Sequence, residues 1–123
     1  HQLLFKGIPA MFPKLRWAFV EVSAQWIPYA LNDLGLRMAR RGVDMSESIM
    51  ADNNIWVACQ VTDDIDYVLK YSGETQLVVG TDYGHADTST EIEALRKLSS
   101  DGKVSPEVAT KILEDNARAL YGL

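Results

Sequence analysis

The sequence has little cysteine and no excess of positive charge, and each shortage excludes a class of protein. A single cysteine, Cys59, rules out an internal disulfide and suits a reducing cytoplasm. The net charge of −5 leaves no basic surface for nucleic acid and no polybasic patch for a membrane. No apolar run approaches the roughly 18 residues of a membrane span, and nothing resembles a signal peptide. We therefore expect a cytoplasmic protein that acts on a small molecule and contacts neither nucleic acid nor membrane.

Motifs that supply a complete catalytic site are also missing. The chain contains no HxH, HExxH, CxxC, GxSxG or Walker sequence, so no full metal site or nucleophile triad is visible. It begins with His1, and residues 2–6 have the pattern of a helix end without a start signal. We therefore expect a piece of a longer protein.

What the chain does contain is an alternation of strand and helix within one domain, 1–123. Three short, apolar, β-prone runs at 15–22, 54–61 and 75–80 predict buried strands. Helical patterns follow at 26–42, 62–73, 88–98 and from 105 onward. The start and stop signals, in chain order, are Pro28, Gly42, Thr62 or Asp63, Gly73, the capping box 88–91 and the Ser-Pro-Glu start at 105–107.

This alternation predicts an α/β fold with a parallel sheet. Strands separated by helices are joined by right-handed crossovers, and near-continuous apolar strands indicate a sheet covered on both faces. Three such units fit either a small open sheet or part of a (β/α)8 barrel. In both folds the chemistry lies at the carboxyl ends of the strands.

The loop after the third predicted strand carries the strongest candidates. Asp82 follows Gly80, which we expect to permit a close turn, and its carboxylate can ligate a metal, accept a proton or cap its own turn. His85 can donate a hydrogen bond to a substrate or join a loop network, and Tyr83 can line a pocket or pack.

Another acid, Glu21, lies near the end of the first predicted strand. An acid there is costly unless it is paired, metal-bound or facing a polar cavity; the alternative is a solvated strand end. Asp63 and Asp64 have the pattern of a helix start, and Asp87 that of a turn or cap residue. Cys59, within a predicted buried strand, is expected to be a small hydrophobe.

Three segments together resemble a known family. In order along the chain, FPKLRWAFVEVSAQWIPYAL, LVVGTDYGHADTSTEIEAL and KILEDNARALYGL resemble the C-terminal part of the amidohydrolase superfamily. The branch they resemble is that of aminocarboxymuconate-semialdehyde decarboxylase, also called amidohydrolase 2. The resemblance implies a metal-dependent TIM barrel, with zinc the expected ion, that hydrolyses or decarboxylates small carboxylic or cyclic substrates.

The resemblance also implies roles for individual residues. It gives Asp82 contact with the metal or its activated water, and His85 corresponds to a histidine of the same loop with a less general role. We expect His85 and Tyr83 to contact the substrate. Where decarboxylases of the family carry a catalytic histidine, this chain has VEVSAQWIP, with Glu21 at or beside that position. This departs from the decarboxylase pattern and makes Glu21 the second catalytic candidate.

Most of such a barrel would lie outside this sequence. The family's HxH pair and its histidine on a middle strand have no counterpart here, and only three of the eight strands are predicted. We therefore expect the final third of a barrel, inactive alone, that binds a divalent metal poorly and self-associates or pairs with the missing N-terminal part. The alternative is a free-standing α/β module, derived from the barrel, that serves binding or assembly without catalysis.

Overall fold

The computed structural model describes residues 1–60, 62–81, 84, 97, 98 and 100–123. Its sheet has three short strands, β1 Trp17–Phe19, β2 Ile55–Cys59 and β3 Leu77–Val79, in the order β1-β2-β3. Both pairings are parallel, with Trp17 opposite Ile55 and Val57 opposite Leu77. The predicted parallel α/β arrangement is therefore confirmed, with strands shorter than the apolar runs suggested.

Helices and helical turns connect the strands. In chain order they are α1 Gln2–Phe5, α2 Ile8–Met11, α3 Ile27–Ala39, α4 Ile49–Asp52, α5 Ile65–Ser72, α6 Pro106–Thr110, a π-helical turn Lys111–Asp115, and α7 Asn116–Tyr121. Pro28 lies in the first turn of α3, and Gly73 follows α5 with φ +69°. The capping box at 88–91 lies outside the described residues.

Serine and aspartate side chains begin two of the helices. Ser105 accepts a hydrogen bond from the N–H of Val108 at 3.3 Å, as its sequence context predicts for the start of α6. The cap of α5 is Asp64, which accepts from the N–H of Tyr67 at 3.2 Å. The prediction that Thr62 or Asp63 caps α5 is therefore wrong, because the buried carboxylate of Asp63 is used elsewhere.

Among the described residues, side chains cover both faces of the sheet at β2 and β3. Side chains of β2 alternate between a large cluster, shared with α3 and α5, and a small cluster on the opposite face. The small cluster comprises Trp56, Ala58 and Val78 of the sheet with Ala117 and Leu120 of α7. In contrast, Ala18 and Phe19 of β1 are exposed, so the prediction of a buried first strand is wrong. The physical reason is that β1, unlike β2 and β3, contributes no side chain to the small cluster beneath α7, so this face of β1 is uncovered within the described residues.

The C-terminal segment returns across the start of the sheet. After the π-helical turn, the buried Asn116 side chain donates to the carbonyls of Glu74 at 2.8 Å and Leu77 at 2.7 Å. Arg16 Nη1, just before β1, donates to the carbonyl of Ala119 at 2.9 Å. These contacts tie the end of the chain to the amino ends of β1 and β3. Within the described ranges, no helix combines the length and apolar character needed to cross a membrane.

Candidate functional site

A cleft of about 290 Å³ opens beside the carboxyl ends of the strands. Because the strands are parallel, the residues that follow β1, β2 and β3 come together at one edge of the sheet. In parallel α/β folds this edge is where catalytic groups collect. Described residues that line the cleft include Val20, Glu21, Gln60, Gly80, Leu120 and Tyr121.

Glu21 is the sequence candidate that the structure places at this cleft. Its side chain is exposed, so its carboxylate avoids the cost of burial while it borders the cavity. Glu21 and Ser23 both have φ +57°, in the left-handed region that non-glycine residues rarely adopt. Each such residue costs about 1–2 kcal/mol relative to ordinary backbone, so surrounding contacts must hold this loop.

Asp63 provides those contacts, a role that was not predicted from the sequence. It is 7% exposed, and its carboxylate accepts hydrogen bonds from Ser23 Oγ, from the N–H of Ala24 at 2.8 Å and from the N–H of Gln60 at 2.8 Å. The carboxylate therefore joins the loop after β1 to the loop after β2. One feature of the sequence could have indicated this role. Two adjacent aspartates precede α5, and because only one of them can be the N-cap, the other is available for a different contact.

A second contact joins the same two loops in the opposite direction. Gln25 Oε1 accepts a hydrogen bond from the N–H of Asp64 at 2.8 Å. The N–H of Gln25 in turn donates to Ser23 Oγ at 3.0 Å, which orients the hydroxyl group that serves Asp63. The carboxyl ends of β1 and β2 are thus fixed to each other by side chains from both loops.

Cys59, the last residue of β2, is unreactive in this setting. Burial raises the pKa of its thiol to about 12, and the neighbouring Asp63 carboxylate adds to the effect. The thiolate is the form that attacks substrates or ligates metals, and the raised pKa disfavours it at neutral pH. The expectation that Cys59 serves as a small hydrophobe is confirmed, since it packs in the large cluster.

The third strand leads to the other candidates. Asp82, Tyr83 and His85 lie outside the described residues, so their predicted roles stay predictions. The approach to them is described through Thr81. A Cβ added at Gly80 would meet Ala58 Cβ at 4.0 Å, an ordinary contact. The expected close turn at Gly80 stays a prediction, because residues 82 and 83, which would complete it, lie outside the described residues.

The described residues do not form a metal centre by themselves. Within those ranges, no group of three or more histidine, cysteine, aspartate or glutamate side chains is placed to hold an ion. A catalytic zinc site typically uses three protein ligands. Any metal site that includes this edge must therefore draw ligands from other residues.

Comparison with known proteins relates this geometry to a family. A family model described as amidohydrolase matches residues 1–123. Among solved structures, the chain is similar to an amidohydrolase from Mycobacterium avium subsp. paratuberculosis K-10, with a TM-score of 0.77 and 21% sequence identity. The match covers 96% of this chain and 31% of that one, so the chain spans under a third of its solved relative. No curated protein matches the chain significantly. At this identity the likeness shows the fold, an α/β unit that corresponds to part of an amidohydrolase barrel.

Proposed function

The chain belongs to the amidohydrolase family, and on that basis we propose that it is the C-terminal third of a metal-dependent (β/α)8-barrel enzyme of hydrolase type. One observation carries the proposal: the family model matches the whole chain, whereas the chain covers 31% of a solved amidohydrolase with the same local fold. A third of a barrel has the strand count observed here, three of eight.

The order of the three segments that resemble the family supports the C-terminal position within the barrel. The closing sequence NARALYGL resembles the end of the family's proteins, and we assign β1, β2 and β3 to strands six, seven and eight. The exposed apolar side chains around β1 fit this assignment, because a preceding strand would adjoin that edge. Those side chains are Leu15, Phe19, Val20, Val22, Trp26 and Tyr29, from 37% to 74% exposed.

We propose a division of roles among the residues at the carboxyl edge. Asp82 follows the last strand in the sequence and acts as proton acceptor and metal ligand, roles that require a precisely placed carboxylate. Glu21, at the cleft, is the second catalytic carboxylate, and its strained backbone supports that role because such strain concentrates at functional sites. His85 and Tyr83 contact the substrate.

We infer a small carboxylic or cyclic substrate, within the decarboxylase-like branch of the family. Glu21 falls at or beside the position of the catalytic histidine of those decarboxylases, and this favours hydrolysis over decarboxylation. A divalent ion, with zinc expected, would supply electrophilic activation of a substrate oxygen or of water. Asp82 is the proposed contribution of this chain to that ion, and the remaining ligands lie elsewhere in the intact protein.

Removal and return of the metal tests the proposed function. The intact protein is assayed for ring opening of cyclic amides and esters, for release of amine or alcohol from open ones, and for carbon dioxide release from small carboxylic acids. We expect hydrolysis that is lost after dialysis against a chelator and restored by one equivalent of zinc. Hydrolysis that survives complete metal removal would contradict metal dependence, and carbon dioxide release without hydrolysis would contradict the preferred reaction.

A further inference from the structure

We propose that Asp63 is the positioning residue of this site: it fixes the loop after β1 and thereby holds Glu21 at the cleft. The inference rests on the proposed function, because that function makes Glu21 a catalytic group. Of the described residues that line the cleft, Glu21 and Gln60 belong to the two loops that Asp63 joins. Asp63 itself does not line the cleft, so it acts through the loop and not on the substrate.

Both oxygens of the Asp63 carboxylate are engaged, and each is engaged differently. Oδ1 accepts from the Ser23 hydroxyl group, whereas Oδ2 accepts from two backbone N–H groups, one in each loop. An ionised carboxylate can accept at both oxygens, and hydrogen bonds to it are stronger than those between neutral groups. Asparagine has one acceptor oxygen and a donor amide group, so it cannot accept on both sides, and in either orientation the negative charge that strengthens these hydrogen bonds is lost.

Without this carboxylate, the strained backbone after β1 would be expected to return to ordinary angles. Glu21 and Ser23 occupy the left-handed region with only Val22 between them. Ser23 contacts Asp63 directly, and the next residue, Ala24, is completely buried and donates its N–H to the same carboxylate. Loss of the tie frees Ser23 to return to ordinary backbone angles, which would swing Glu21 away from its position. A misplacement of about 1 Å can lower a rate by about 100-fold.

The neighbouring residue supplies a matched control. Asp64 carries the same charge one position along, and its side chain caps α5 through the N–H of Tyr67. Asparagine caps helices about as well as aspartate, so Asp64→Asn removes one charge from this loop without removing a contact. A milder variant, Ser23→Ala, removes one donor to Asp63 and leaves both backbone donors in place.

The test uses the intact protein and two independent readouts. Amide hydrogen exchange at Ala24 and Gln60 reports on the tie, and kcat and KM report on the site. For Asp63→Asn we expect exchange at these amides to rise by about tenfold, the scale of one lost hydrogen bond to a charged group. We expect kcat to fall by about tenfold or more while KM changes less, with Ser23→Ala intermediate and Asp64→Asn unchanged.

A double-variant cycle shows whether Asp63 acts through Glu21. If it does, Glu21→Gln lowers kcat in the wild-type protein but adds little in the Asp63→Asn background. The inference would be overturned if the two substitutions lowered kcat by the product of their separate effects. An Asp63→Asn protein with normal exchange and normal kcat would overturn it as well. If Asp63→Asn does not fold, Ser23→Ala decides, and its normal exchange and turnover would overturn the inference equally. Absence of any hydrolase activity in the wild-type protein would refute the proposed function instead, and exchange would then decide the tie alone.

Discussion

Replacing Gly122 with alanine should loosen the contact between the C-terminal segment and Arg16, just before β1. Gly122 has φ +74°, where a Cβ atom costs about 1–2 kcal/mol. A Cβ built there would lie 2.6 Å from Arg16 Nη1 and 2.9 Å from Nη2, closer than real Cβ atoms approach other heavy atoms, so the guanidinium group must move. Arg16 would then lose its 2.9 Å hydrogen bond to Ala119.

The magnitude follows from these two effects. The hydrogen bond is exposed, so we assign its loss about 1 kcal/mol, within the usual net range for a single bond. Added to the backbone cost, the expected loss of unfolding free energy is about 2–3 kcal/mol. Urea unfolding of the intact protein, followed by circular dichroism, measures this quantity.

Gly102→Ala separates the two effects. Gly102 has φ +64°, but a Cβ there would meet no heavy atom within 4 Å, so only the backbone cost of about 1–2 kcal/mol applies. Gly122→Ala should therefore cost about 1 kcal/mol more than Gly102→Ala, and this excess should vanish in an Arg16→Ala background. Equal losses for the two glycine variants in the wild-type protein would refute the Arg16 contact as described.

Three further predictions concern the isolated chain and its thiol. The isolated chain should bind zinc more weakly than micromolar in calorimetry, because its described residues lack a three-ligand group; a single submicromolar site on the monomer would contradict this. It should also self-associate in light scattering, because the β1 edge and its apolar side chains are exposed; a monomer with a cooperative melt and little dye binding would instead favour the free-standing module. Cys59 should resist thiol reagents at pH 8 until the protein unfolds. The pKa of the Cys59 thiol rises from 9.0 to about 12 on folding, so the contribution of the buried thiol to folding stability is intact below pH 9 and is lost as pH rises from 9 toward 12. A Cys59→Ala variant with the same alkaline loss of stability would assign that loss to other groups.

Local signals in the sequence predicted local structure well. Pro28 in a first helical turn, Ser105 as a cap and Gly73 as a stop each depend on contacts within a few residues, and all three are observed. Alternation of strand and helix likewise predicted the parallel sheet. The exposure of β1 was not predictable in this way, because a strand's apolar pattern is the same whether or not a neighbouring strand is present.

The candidate site was predictable only in part, for the same physical reason. The position of Glu21 at a strand end follows from the alternation pattern, and the structure places it at the cleft. The hydrogen bond between Asp63 and Ser23 joins residues that are 40 positions apart in the sequence. No local pattern predicts which of the two adjacent aspartates is buried. Asn116, which follows the π-helical turn, likewise donates hydrogen bonds to Glu74 and Leu77, which are distant in the sequence.

Turnover of the Asp82→Asn variant in the intact protein tests the central claim most directly. Asparagine keeps the size of the side chain and serves turns about as well as aspartate, so a turn residue would tolerate the change. If the carboxylate accepts a proton in the reaction, turnover should fall by about 100-fold or more. Asp87→Asn, five residues further along the sequence, is the control and should keep near-normal turnover. Near-normal turnover for Asp82→Asn, with unchanged metal content and thermal melt, would contradict the assignment of this strand end as the catalytic site.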